Sequence, residues 1–148
     1  CWAGGPLHRN DRNRSMQFTD WLPLFRLPVH VHSLQVGDRA NEWRDVQDDT
    51  LVIQTPLDGC TDWMETARVI RSLDLVLTVD TAVLHLAGAM GKPTWAALAA
   101  APDFRWGLQS TSTPWYPSLT LYRQAKAGSW GDVVHRMISD LEAMLCAK

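Results

Sequence analysis

Residues 74–93 read DLVLTVDTAVLHLAGAMGKP, and this stretch decides the fold. Its residues 75–79 (LVLTV) are almost wholly apolar, as a strand hidden on both faces of a parallel sheet must be. Asp80 and Thr81 break that run. Residues 82–90 then carry a helical pattern, which Gly91 ends and Pro93 keeps from resuming. Ala87, Gly88 and Ala89 are small enough to predict close approach of this helix to the sheet. A buried strand leading through a short polar turn into a helix is the repeating unit of an α/β fold.

Outward from this unit the alternation recurs. On the N-terminal side, residues 1–3 are expected to be the end of a strand whose beginning is cut away, followed by a polar loop over 4–14. Phe18, Trp21, Leu22 and Phe25 recur at helical spacing, and Pro23 predicts a short or irregular helix ending near Arg26. Residues 29–36 (VHVHSLQV) alternate like a second strand, and Gly37 breaks it. The charged segment 38–50 is read as a loop or a poor helix, and 51–55 (LVIQT) as a third strand. Asp62, with Glu65 three places on, forms a capping pair for a helix to Leu73, whose face is marked by Trp63, Ala67 and Ile70. On the C-terminal side, 94–99 and 119–123 predict two more strands, and residues 130–145 a long amphipathic helix. The sum is one Rossmann-like α/β domain over residues 1–148, three layers deep, with a mostly parallel sheet of about six strands.

The composition agrees with a single globular domain: 148 residues, 46% hydrophobic and 20% charged, including eight Trp. A chain of this length buries roughly 70% of its unfolded surface without disulfides or a structural metal. Cys1, Cys60 and Cys146 are too far apart for a CxxC site, and an odd, sparse set suits a reducing compartment, so a cytoplasmic location is expected. A formal charge of −2 lacks the field of a general nucleic-acid binder. The longest hydrophobic stretch, residues 84–102, contains His85, Gly88, Gly91 and Pro93, which predicts buried core rather than a membrane span. The sequence opens with CWAGG where an intact gene product has Met, which suggests a piece of a longer protein.

In open parallel sheets ligands gather beyond the carboxyl ends of the strands. There, Asp80 and Thr81 lead into a helix whose first amides, on Ala82, Val83 and Leu84, form an anion site aided by the helix dipole. His85, one turn beyond Thr81, is placed to touch the same ligand. The alternative is a capped helix with a core histidine, and spacing alone does not decide between them. The loop GGPLHRNDRNR sets His8, Arg9, Arg12 and Arg14 against one acid, Asp11, and guanidinium groups suit bidentate phosphate contact. Such a run is commonly just solvated, but the topology puts this one beside the same crevice.

Other constellations are weaker. His30 and His32 share one face of a strand, yet no third metal ligand has diagnostic spacing, so no metal site is expected. Neither GxGxxG nor GxxxxGK[ST] is present, and no GxSxG marks a hydrolase elbow. Trp106 and Trp115 follow the fifth predicted strand, either to stack on a base or sugar or to pack in a core or interface.

With the basic loop, DTAVLHLAGAMGKP and APDFRWGLQSTSTPWYPSLTLYRQ taken together, the chain resembles the C-terminal half of GT-B glycosyltransferases. It is most similar to bacterial domains that often follow tetratricopeptide repeats, then to the family 9 heptosyltransferases and, distantly, to O-GlcNAc transferase. The resemblance runs over essentially the whole chain, and DT-x-x-x-H-LAGA-x-G-x-P is its most specific motif. It implies a nucleotide-sugar donor with its diphosphate at the helix start, near Asp80, Thr81, Ala82 and His85. Arg14, where family 9 members commonly carry a Lys, and Arg12 would compensate phosphate charge. Gln35, Gln54 and Pro56 would border the nucleoside. The resemblance further implies inverting, metal-independent chemistry with no cofactor. The acceptor and catalytic base belong to another half that 148 residues leave no room for, so no catalytic residue is assigned and little or no transfer is expected from this domain alone. From a different class stands a non-catalytic interaction or oligomerisation module using the Trp-rich surface, and a nucleotide-sugar epimerase stands third.

Overall fold

A computed structural model describes residues 1–60 and 62–147. It is α/β with parallel strands throughout. β1 (Val31–His32) pairs with β2 (Ile53–Gln54), and β3 (Val76–Val79), β4 (Thr94–Leu98) and β5 (Leu119–Arg123) form a second sheet in that order. The helices are α1 (Asp11–Arg14), α2 (Phe18–Phe25), α3 (Trp63–Ser72), α4 (Ala82–Ala89) and α5 (Gly131–Cys146).

β4 sits between β3 and β5 and is buried along its whole length, which is why TWAAL carries nothing charged. Its side chains alternate between two cores, as a period of two requires. Trp95 and Ala97 join Phe18, Trp21, Val133 and Met137 under α2 and α5. Ala96 and Leu98 pack with Leu84 of α4 and with Trp106. Helices therefore cover both faces of this sheet, giving the predicted three layers. A further cluster around Leu34, Ile70, Val76 and Val83 seats α3 beside α4.

The expected continuous sheet of about six strands is instead two sheets, of two and three strands, among the described residues. The segment before α1 explains the break. Cys1 donates to the Leu77 carbonyl and accepts from Val79 N–H at 2.9 and 3.1 Å, the two bonds of a single parallel rung with Thr78. On its other side the neighbour is a side chain rather than a strand. Gln35 Oε1 accepts from the Trp2 and Ala3 amides at 3.1 and 3.0 Å, and its Nε2 donates to the Ala3 carbonyl. The predicted second strand, residues 29–36, shortens accordingly to Val31–His32.

Other local departures have similar causes. The basic loop closes into one helical turn, α1, and Asp38–Asp45 forms a 3₁₀ helix where a loop or poor helix was expected. α2 is short, as Pro23 predicts, and opens with a capping box between Gln17 and Asp20. In α3 the Asp62 carboxylate caps Met64 N–H at 2.9 Å, whereas Glu65 pairs with Arg68 rather than completing the box. Trp63, assigned to the buried face of this helix, is 54% exposed, and Ile70 alone of the predicted trio is fully buried.

α4 ends as its sequence requires. Gly91 adopts φ +67°, Gly91 N–H bonds to the Gly88 carbonyl and Lys92 N–H to that of Ala87, a Schellman pair closed by Pro93. Gly88 does not serve the sheet. A Cβ there would lie 2.6 Å from Cγ of Tyr116, so the close approach is to an aromatic ring in the loop before β5. No helix among the described residues is long and apolar enough to cross a membrane.

Candidate functional site

The turn between β3 and α4 and the basic loop meet. Arg14, at the end of α1, reaches across 66 positions of sequence and donates from Nη1 to the Asp80 carbonyl at 2.8 Å. Gly4 makes this approach possible, because a Cβ at that position would stand 2.5 Å from Arg14 Nη2. The guanidinium also faces Asp11, whose Oδ1 lies 3.8 Å from Arg14 Nε and whose Oδ2 lies 3.9 Å from Arg39 Nη1. Asp11 thus holds two arginines at one place. The buried Arg14 Nε has no hydrogen-bond partner among the described residues.

Thr81 is the N-cap residue of α4, and no side chain caps this helix among the described residues. The Thr81 hydroxyl turns inward instead, 3.2 Å from the hydroxyl of Thr78. Leu84 N–H, expected to be free, is taken by the Thr81 carbonyl at 3.0 Å, so of the three amides expected to form the anion site those of exposed Ala82 and of Val83 remain candidates.

These groups line a cleft of about 380 Å³. Its walls come from the carboxyl ends of successive strands: residues 3–6 after the Cys1 rung, residues 34–39 after β1, Trp63 at the start of α3 after β2, and residues 81–83 after β3. That is where an open parallel sheet gathers ligand-binding loops. A larger cavity of about 520 Å³ opens at the amino ends of β1 and β3, but its lining is dominated by apolar side chains such as Phe18, Leu24 and Leu145, with no Arg or Lys among the described residues. Its polar lining includes His30, His32, Ser33 and Ser72, but no guanidinium or ammonium side chain among the described residues stands there to meet a diphosphate.

Of the residues singled out in the sequence, the cleft brings together Arg14, Gln35, Thr81 and Ala82. Asp80 contributes through its carbonyl, which receives Arg14. Arg12 is exposed and outside the lining, as are Gln54 and Pro56. His85 is drawn to the other side of the helix start, where Nδ1 lies 3.1 Å from the Tyr116 hydroxyl and the ring stacks on buried Trp106 at 5.4 Å. Gln35 lines the cleft, but its amide is occupied by the backbone of Trp2 and Ala3. Two lining residues escaped the sequence reading. Arg39 sits in a segment read only as charged, although its place just beyond the Gly37 break is a signal, and Trp63 was assigned to the core. Among the described residues no three His, Cys, Asp or Glu side chains are grouped to hold a metal.

Residues 38–128 match glycosyltransferase family 9 (heptosyltransferase). The chain belongs to that family. The match takes in β2 to β5, the turn between β3 and α4, Arg39 and Trp63, while Arg14 and its loop and the lining residues before 38 lie outside it. The family 9 chain is also similar to Protein FlbA of Caulobacter vibrioides, 28% identical over 144 residues, which cover 95% of this chain and 24% of that protein. It therefore spans about a quarter of the length of this relative. No solved structure matches it.

Proposed function

We propose that residues 1–148 form the donor-binding domain of a glycosyltransferase, of the kind that makes up the C-terminal half of a GT-B enzyme, and that the cleft holds the diphosphate of a nucleotide-activated sugar. One observation carries this reading: Arg14 reaches the Asp80 carbonyl at 2.8 Å, so a guanidinium stands at the uncapped start of α4. Cations and helix-end amides are what a departing diphosphate needs as charge develops on it, and they supply that charge without a metal. The resemblance to tetratricopeptide-linked domains and to O-GlcNAc transferase points the same way.

In this reading Arg14 and the amides of Ala82 and Val83 hold phosphate oxygens, with Arg39 adding positive charge. Arg12, His85, Gln54, Pro56 and the side chain of Asp80 keep only the support of the resemblance, while the Asp80 carbonyl holds Arg14. Deprotonation of an acceptor is a separate task. None of the cleft residues is assigned to it, so residues 1–148 alone bind nucleotide and turn over little or no sugar, in a cytoplasmic setting. Titration calorimetry with UDP, ADP, GDP and their sugars is the test. Binding tighter than inorganic phosphate, weakened about tenfold or more by Arg14→Ala, is the expected result. Equal affinity for phosphate, with Arg14→Ala silent, ends the assignment.

A second reading, association with another protein or a second copy, is favoured by Phe104, Leu108 and Trp115, all largely exposed in the segment between β4 and β5. Sedimentation over a concentration series tests it, and a monomer at all concentrations removes the self-association form.

A further inference from the structure

The Arg14 cleft has an aromatic wall that the diphosphate does not use. Of the eight Trp, Trp2, Trp21, Trp95 and Trp106 are buried, and two are largely exposed, Trp63 at 54% and Trp115 at 61%. Only Trp63 of these two lines the cleft. It is the first residue of α3, anchored there by the Asp62 cap on Met64 N–H. Its indole lies outside the buried clusters that hold the rest of α3 in place. Val36, 47% exposed, lines the same cleft. Apart from Asp38, the lining thus divides by chemistry, with Arg14 and Arg39, the latter also paired with Glu42 Oε1 at 2.6 Å, for anionic oxygens and Trp63 and Val36 for a flat, weakly polar group. A ligand with both features is a nucleoside diphosphate, and a cleft of about 380 Å³ falls within the range of small-molecule sites.

We propose that the Trp63 indole is the stacking surface for the nucleobase of the bound nucleotide. This inference rests on the donor-binding reading above and assigns its nucleoside end, a role the resemblance implies for Gln35, Gln54 and Pro56; the Gln35 amide is already engaged by backbone, and Gln54 and Pro56 lie outside the cleft lining. Stacking tolerates any base because each has a π face, so Trp63 adds affinity without choosing between purine and pyrimidine.

Calorimetric titrations with inorganic pyrophosphate, ADP, UDP and GDP on the 148-residue chain separate the two claims. Trp63→Ala is expected to weaken all three nucleotides about tenfold while leaving pyrophosphate within about twofold, and Trp63→Phe to restore most of the loss. Arg14→Ala weakens nucleotides and pyrophosphate together. Nucleotide binding that Arg14→Ala reduces and Trp63→Ala does not would leave the donor reading standing and overturn the stacking role. Failure of every probe to bind overturns both. Should Trp63→Ala lower the urea midpoint, Trp63→Leu, which keeps apolar area without a π face, takes its place with the same expected outcome.

Discussion

Gly4 carries no side chain because Arg14 needs the room: a Cβ there would lie 2.5 Å from Arg14 Nη2 and 2.8 Å from Asp11 Oδ1. The guanidinium is the far end of a flexible chain, so Gly4→Ala is relieved by moving Arg14 away from the Asp80 carbonyl rather than by disturbing the core. The expected outcome is pyrophosphate affinity lowered about as far as Arg14→Ala lowers it, with the urea midpoint nearly unchanged. Calorimetry beside a denaturation curve checks both. At this scale the sequence was legible in type and not in pairing. Arginines after a glycine-flanked strand end are suggestive, yet a contact between positions 14 and 80 is visible only when the chain is folded. Gln35 shows the converse. It stands at the end of the strand the sequence predicts, as a ligand-binding residue should, but the amides of Trp2 and Ala3 claim its side chain. His85 shares the fate of many helix-face histidines, satisfied by the Tyr116 hydroxyl and the face of Trp106.

Among the elements, α4 is the one whose two ends do different work. Its start is left uncapped, and its end is closed by the Schellman pair on Gly91 and Lys92. Because Gly91 sits at φ +67° with open space around a would-be Cβ, Gly91→Ala meets only backbone strain. A loss of about 1 kcal/mol is expected, read as a lower urea midpoint at unchanged slope, with pyrophosphate affinity of the folded protein retained. Helices α2 to α5 were readable because each has a period, a cap or a breaker in its own sequence, whereas α1 is a single turn inside a segment that reads as a polar loop. The lengths of β3, β4 and β5 were readable to within a residue, whereas β1 and β2 are shorter than their patterns, since just past β1 the Gln35 side chain, not a strand, meets the neighbouring segment, a tertiary event. Trp63 was misplaced for a related reason. Periodicity puts it in register with Ile70, but at the first position of α3 Trp63 stays more than half exposed and lines the cleft instead.

At the scale of the molecule, α5 closes one face of the larger sheet, and its attachment includes a polar tie. Tyr122 of β5 donates to Asp140 Oδ2 of α5 at 2.6 Å, and Arg136 lies over the ring with its guanidinium carbon 6.0 Å from the centroid. Burial, then the bond to Asp140 and the charge of that carboxylate, push the Tyr122 hydroxyl well above its ordinary value near 10, and Arg136 opposes them. The folded state consequently holds this proton more tightly than the unfolded chain does. Its contribution is complete below about pH 10 and declines as pH rises toward the folded value, because the unfolded state alone gives up the proton in that window. Urea midpoints of the native chain are therefore expected to fall between pH 10 and 11.5 more steeply than those of Tyr122→Phe, which lacks the titrating group. At pH 8 the variant is the less stable protein, because Asp140 has lost its donor. Parallel curves for the two proteins across pH 8 to 11.5 would mean that the tie is absent in solution and that apolar packing of Val133, Met137 and Leu141 alone seats α5 on the sheet.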